Sequence, residues 1–227
     1  MEFGLKRLAK KALDLCSTSG AIRKVKVLLR PNLANIPYLP LAQSQSMRIP
    51  IDASLSLSQV TMADAPMLVR YLNHPAIHQN TLKIPFPYTL NDAGWYVNYL
   101  EERRQKLGRL TEWAIRDETG QLIGGAGFHV EHGLGSHKDA IGYWLGAPFW
   151  GNGIMTRVVN KMVEIGFGEW GLVRLEAPVF VHNLASARVL EKNGFEAEGI
   201  LRSYYLKGGQ PVDVKMYARV KSAQETG

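Results

Sequence analysis

Cysteine is nearly absent: Cys16 is the only one in 227 residues. A lone cysteine excludes an internal disulfide and any cysteine-rich metal site. A reducing, cytoplasmic setting is the simplest expectation, with no metal. Long hydrophobic runs are missing too. No apolar stretch approaches the roughly 18 residues needed to cross a bilayer. The N-terminal segment holds no uninterrupted apolar stretch of the secretory kind. There is no internal repeat and no acidic cluster that would demand a polycationic partner.

What is there looks globular, with 46% hydrophobic and 21% charged residues. The net charge of +7 is unevenly placed. Residues 1–46 hold eight Lys/Arg against Glu2 and Asp14, leaving 19 basic and 18 acidic residues for the remainder. The basic character belongs to the N-terminal extension, and a near-neutral main domain argues against a broad nucleic-acid surface there.

Leu5, Leu8, Ala9, Ala12, Leu13 and Cys16 recur at helical spacing, which predicts a short basic amphipathic helix ending near Gly20. A basic apolar patch follows from Ile22 to Arg30. Then Pro31, Pro37, Pro40 and the Gln43-to-Ser46 run read as a linker. The predicted division is an extension and linker over 1–48, a main domain over 49–222 and a tail over 223–227. The extension reads as a membrane-surface, ribosome or nucleic-acid contact, as a targeting peptide, or as a non-essential arm.

In the main domain the pattern predicts a strand over Leu55 to Val60 and a helix from Asp64 to Leu72, ended by Asn73-His74-Pro75. A second helix, capped by Asn91 or Asp92, carries Trp95, Val97, Tyr99 and Leu100. Glu112 to Arg116 and Leu122 to Val130 form a hairpin. The strand Asp139 to Leu145 precedes a helix over residues 154–169. A strand (Leu172 to Val181), a helix (Leu184 to Asn193) and a hairpin of Phe195 to Leu206 with Pro211 to Val220 complete a mixed α/β sheet.

Two segments carry chemistry. In Phe149-Trp150-Gly151-Asn152-Gly153-Ile154-Met155, two glycines turn the backbone tightly and open a helix. Free N–H groups there and the helix dipole suit a phosphate. In the second segment, Asn183 opens a helix, Ser186 lies one turn in, and Asn193-Gly194 closes it. Alone, it reads first as a well-capped structural helix.

Both segments in this order, with Ile141-Gly142-Tyr143-Trp144-Leu145-Gly146 ahead of the first and Tyr205-x-x-Gly208 with Asp213-Val214-x-Met216-Tyr217-Ala218 after the second, resemble the GNAT N-acetyltransferases. The likeness is closest to the RimJ/RimL-like branch, which acetylates N-terminal amines of ribosomal proteins, and it covers about residues 50–220. One departure is Pro148, where many relatives place Gln or Arg.

The resemblance implies a mixed α/β (α+β) GNAT fold. Its mostly antiparallel sheet would have six to seven strands, about four flanking helices, and a splay in the middle for CoA. It implies an acetyl-CoA-dependent N-acetyltransferase acting by direct attack on a primary amine, either a protein N-terminus or a small amine. The alternative is a CoA-binding module without catalysis. Backbone N–H groups of Trp150, Gly151, Asn152, Gly153, Ile154 and Met155, with the Thr156 hydroxyl, would hold the pyrophosphate. Main chain near Trp144 and Leu145 would pair with the pantetheine arm, and Asn183 would reach the ligand.

The acid and base depart from many relatives. Leu190 stands where a tyrosine is often found, so Ser186 is the candidate acid or relay, against a simple capping role. Tyr204 stands where some members carry a carboxylate and makes a poor base. Glu112 is the alternative base, with His129 and Glu131 as further options; for His129 a half-buried structural histidine is favoured. The acceptor would lie among the Leu82-to-Tyr88 loop, Trp95 and Tyr204-Tyr205, although helical spacing favours a core position for Trp95. A homodimer remains an open alternative.

Overall fold

The computed structural model describes residues 48–222, so the predicted basic helix, the linker and the tail lie outside the described residues. The hairpin around Asp117 forms as expected, joining β3 (Glu112–Arg116) to β4 (Leu122–Phe128). Asp117 Oδ1 accepts the N–H groups of Thr119 and Gln121 and closes the turn. Ahead of it stand β1 (Ile49–Pro50), β2 (Ser56–Ser58), α1 (Ala65–Leu72), α2 (Pro75–Asn80) and α3 (Leu90–Leu107). After it come β5 (Lys138–Leu145), α4 (Ile154–Glu164), β6 (Arg174–Phe180), α5 (Leu184–Lys192), β7 (Glu196–Lys207) and β8 (Gln210–Val220). One turn of π-helix, Ile165–Glu169, extends α4.

The strands make one eight-stranded sheet in the order β1-β2-β3-β4-β5-β6-β8-β7. Every neighbouring pair is antiparallel except β5 with β6. The mixed, mostly antiparallel architecture is therefore as expected, with eight strands instead of six to seven and five helices instead of four. The extra helix is α2. His74-Pro75 ends α1 but also starts α2, with His74 Nδ1 accepting the Ala76 N–H at 3.3 Å. Proline fits the first turn of a helix as readily as it stops one. The cap of α3 also differs. Thr89 is its N-cap, its hydroxyl accepting the Asp92 N–H at 3.3 Å while Asp92 Oδ2 accepts the Thr89 N–H at 2.8 Å. This reciprocal pair satisfies two N–H groups at once.

The sheet buries both faces. On one, Ile115, Phe128, Ile141 and Leu145 pack under Val158, Val159 and Met162 of α4 and Leu190 of α5. On the other, Leu68 and Leu72 of α1 and Ala93, Val97 and Leu100 of α3 cover Ala114 and Leu122. Arg116 ties the entry of α1 to β3 by two bonds to Asp64, at 2.7 and 2.9 Å. Among the described residues, no helix is long and apolar enough to cross a membrane.

Candidate active site

The glycine turn forms where the sequence puts it. Gly151 and Gly153 take φ values of 80° and 68°. These are conformations a side chain resists, and a Cβ at either residue would meet nothing within 4 Å. Gly153 is the N-cap of α4 and offers no side-chain cap. Ile154 and Met155 bury their side chains in the core, so they present only N–H groups at that end of the helix. Thr156 is half-buried in the same turn. Asn152 bonds back to the Phe149 and Trp150 carbonyls. The outcome is an open ring of donors at the positive end of a helix, which suits a phosphate.

Beside this turn, β5 and β6 part. They pair only from Lys138 opposite Arg174 to Ala140 opposite Glu176. Along β5, His129 N–H bonds Ala140 O at 2.9 Å and Gly146 N–H bonds Ile123 O at 2.8 Å. Antiparallel bonding alternates. Gly142 and Trp144 therefore turn their main chain to β4, while Ile141, Tyr143 and Leu145 turn theirs to the gap. Of the two residues expected beside the pantetheine arm, Leu145 thus turns its main chain to the gap and Trp144 turns its to β4. The Leu145 carbonyl accepts the Trp150 indole N–H at 2.7 Å, which pins the glycine turn to the strand end.

The same alternation on β6, fixed by Lys221 N–H to Val173 O at 2.8 Å and Val181 N–H to Asp213 O at 3.4 Å, turns Glu176, Pro178 and Phe180 toward β5. Pro178 has no N–H to give, so the next rung of the ladder cannot form. A proline inside an apolar strand was the available sequence signal for this parting. The gap is lined by peptide groups that await partners, and peptide-like amides fit it.

On the α4–α5 face, Tyr143 reaches Ser186. Its hydroxyl lies 2.8 Å from Ser186 Oγ. Burial holds the phenol well above the ordinary tyrosine range, against the lowering bond from Ser186. Asn183 caps α5, its Oδ1 accepting the Ser186 N–H at 3.1 Å. The capping role thus falls to Asn183, and the Ser186 hydroxyl is turned to Tyr143, which sequence reasoning missed.

On the α1–α3 face, Gly125, Gly127 and Gly142 make a lane across the strands that the Trp144 indole, the Glu112 side chain and the His129 ring fill. Glu112 stands at one end, and both its oxygens are engaged: Oε2 accepts the Tyr96 hydroxyl at 3.0 Å and Oε1 the Arg103 guanidinium at 3.2 Å. Arg103 also donates to the Phe128 and His129 carbonyls. Over Gly142 sits the His129 ring. An ideal Cβ there would come 2.6 Å from Nε2 and 3.5 Å from each adjoining ring carbon, so the nitrogen apex points into the space the glycine leaves. His129 Nδ1 lies 3.6 Å from Glu131 Oε1, and the side chain is 39% exposed. Between them Val130 takes a φ of 55°. Both oxygens of buried Asp139 hold its N–H, at 2.9 and 3.0 Å.

Facing this lane, β7 carries Tyr204, which is exposed, and Tyr205. Burial, then Tyr204, then Glu131 push the Tyr205 phenol up to about 12. Lys207 at the end of β7 donates to the His78 and Thr81 carbonyls, joining the hairpin to α2. Phe86 stacks on His78 as part of the wall. Trp95 is not core: it is 68% exposed and stacks on Tyr99, because α3 buries the stripe of Ala93, Val97 and Leu100 instead. Among the described residues, no group of three His, Cys, Asp or Glu could hold a metal ion.

The acetyltransferase (GNAT) domain family matches residues 54–196. The chain belongs to the GNAT acetyltransferase family. Uncharacterized N-acetyltransferase YoaA of Bacillus subtilis is 43% identical over 111 residues, which span 48% of this chain and 62% of that protein. This chain therefore covers less than two thirds of that GNAT relative. Uncharacterized N-acetyltransferase p20 of Bacillus licheniformis is 30% identical over 171 residues, spanning 74% of this chain and 93% of p20. The solved structure of RimL, a ribosomal L7/L12 alpha-N-protein acetyltransferase in complex with coenzyme A, superposes with a TM-score of 0.68 at 23% identity, over 78% of this chain and 99% of RimL. That likeness places the present sheet, with its parted strands, in the GNAT fold.

Proposed function

We propose that this GNAT protein is an N-acetyltransferase that moves an acetyl group from acetyl-CoA to a primary amine, either a protein N-terminus or a small amine. The observation that carries this reading is the parted β5–β6 pair opening beside an uncapped helix N-terminus. Peptide-like pantetheine amides match the main chain of Ile141, Tyr143 and Leu145. A pyrophosphate matches the N–H groups from Gly151 to Met155; the Trp150 N–H, expected among them, is already given to the Ala147 carbonyl at 3.2 Å. Bound acetyl-CoA would supply a thioester whose carbonyl carbon takes the amine nitrogen, the C–N bond forming as the C–S bond breaks.

The chain's own contribution starts with holding two reactants together, worth up to about 7–11 kcal/mol when alignment is good. Tyr143 and Ser186 form a hydroxyl pair on one side of the gap that can return a proton to the departing sulfur. Burial keeps the Tyr143 phenol protonated, so that it can hydrogen-bond the departing sulfur together with Ser186. Glu112, held by Tyr96 and Arg103, acts by positioning rather than as the free base. Tyr204, Lys207 and the 82–88 loop wall the acceptor side. The acceptor classes follow from the family, and RimL, a protein N-terminal acetyltransferase by its description, supports including N-terminal amines.

The test has two parts. Saturating acetyl-CoA should raise the melting temperature. Thiol release should then appear with a panel of free L-amino acids and of peptides beginning with Ser or Ala. No thermal shift would sink the proposal. A shift with no thiol release from any amine would favour the CoA-binding module, whose motivation is the leucine at position 190.

A further inference from the structure

We infer that Lys207 is a positioning residue that latches helix α2 as a strap over the wide end of the β5–β6 gap, covering the donor arm on the face opposite Tyr143 and Ser186. This rests on the acetyl-CoA reading above. Leu145 and Phe180 stand on the two sides of the opening, beyond the last pair of Ala140 with Glu176. Each is reached from α2. At the start of α2 the His74 ring lies edge-on to Trp150, with 5.1 Å between ring centres, and the Trp150 indole hangs on the Leu145 carbonyl. At its end, Lys207 Nζ donates to the His78 carbonyl at 2.6 Å and to the Thr81 carbonyl. The same ammonium stands 5.8 Å from the centre of the Phe180 ring. Helix α2 thus begins beside one lip of the gap and ends beside the other.

Length and packing agree with a strap. The six residues of α2 make about 9 Å of helix axis. Paired strands lie about 4.8 Å apart, so a helix of that length can cross two that have parted. Ile77 packs with Leu68 and Leu72 of α1, which fixes α2 to the α1–α3 face. A donor arm in the wide end is therefore covered by α4 and α5 on one side and by α2 on the other, and it leaves as α2 lifts. The latch is a single side chain. Carbonyls in the last turn of a helix lack partners within it and carry the negative end of its dipole, so they suit an ammonium. Burial lowers the Lys207 pKa, and the latch is made against that cost. His78 also stacks on Phe86, and its Nδ1 lies 3.2 Å from the Ile84 carbonyl oxygen. The 82–88 loop is thereby tied to the strap.

The test loads the full chain with labelled acetyl-CoA and chases it with excess unlabelled CoA. Losing a hydrogen-bonded charge that holds a local element shut raises its opening on the order of tenfold. Lys207→Met keeps the reach of the side chain and removes its charge. It should speed donor dissociation about tenfold, and amide exchange in α2 should speed by a similar factor. Lys207→Arg still offers donors to both carbonyls and should bring dissociation back to within about threefold of the parent. A staple that only held the hairpin would lower the melting temperature of the free protein and leave donor dissociation alone.

Donor dissociation from Lys207→Met within about twofold of the parent would overturn the strap and leave the acetyltransferase reading intact. Unchanged exchange in α2 would overturn it too, since the latch would then hold nothing. Should the variant fold too poorly to be loaded, the parent decides. Saturating acetyl-CoA should slow amide exchange in α2 at least about fivefold, and equal rates with and without it overturn the assignment. Failure of acetyl-CoA to bind the parent at all overturns the donor reading, and this inference with it.

Discussion

The two sides of the β5–β6 gap are built from different material. Toward the glycine turn, the groups proposed to hold the donor are peptide N–H and C=O: those of Ile141, Tyr143 and Leu145 along β5, and those of the turn into α4. Toward α1, α3 and β7, the groups bordering the proposed acceptor space are side chains: Glu112, His129, Glu131, Tyr204 and Lys207. A main-chain site needs only correct punctuation, which here means Gly151, Gly153 and Pro178. It tolerates change in the side chains around it. A side-chain site depends on which residues distant strands bring together, so one substitution can rebuild it. The donor half of a GNAT protein is therefore the generic half, and the acceptor half is where this chain is individual.

That contrast can be broken at several points. The largest effect is expected at Gly151→Asp, which sets a negative charge in the turn meant for pyrophosphate. An uncompensated charge a few ångströms from another is worth about 1–4 kcal/mol. Calorimetry should show acetyl-CoA affinity falling at least about 30-fold, with acceptor KM unchanged where donor saturation can be reached. Next come Tyr143→Phe and Ser186→Ala. Each removes one partner of the 2.8 Å bond and should destabilise by about 1 kcal/mol. Each should also lower kcat without changing acetyl-CoA affinity; unchanged kcat in both would remove the pair from the proton path.

Pro178→Ala is expected to act more gently. It returns an N–H to the edge that faces β5, letting the ladder lengthen. Acetyl-CoA should bind several-fold more weakly, and the new amide should show protection from hydrogen exchange. A fast-exchanging amide with unchanged affinity would show that the gap does not depend on the missing donor.

The smallest effect lies on α3, which walls the acceptor side. Arg104, with Gln105, holds the Glu101 carboxyl down at about 2, from 4.5. A depressed carboxylate contributes stability above its unfolded value and loses it as pH falls through the folded one. Glu101→Gln should thus melt slightly below the parent from about pH 5 upward, and the difference should vanish near pH 2. Solvent screening keeps it small, since both side chains are more than a third exposed.

The same contrast explains what could be read from the chain alone. The glycine turn, the Asn183 cap and the two hairpins are local patterns, and they formed where the spacing put them. Helix α2 escaped because His74-Pro75 carries two meanings, a stop and a start. Trp95 was misplaced because three buried positions on α3, not the aromatic, decide which stripe faces inward. Tyr143 with Ser186 stand 43 residues apart in the chain. His129 over Gly142 depends on the register of β4 on β5. No local pattern encodes either meeting. Pro178 was legible in principle, being a proline inside a strand, but its meaning needed the knowledge of which edge it faced.

The short β5–β6 pairing has a mechanical side. Only three residue pairs join the strands from β1 to β5 to those from β6 to β8. Across that seam the halves are also held by α4 and α5 packed over both, by the Val173 N–H on the His137 carbonyl, by Lys138 on Glu176 and by Lys207 on the His78 and Thr81 carbonyls. The sheet is built with a loose seam along its middle, and a ligand laid into it acts as a stitch. Donor binding should then do more than fill a slot. It should turn two loosely joined blocks into one cooperative unit, with amide exchange in β6 and β8 slowing together with that in β5.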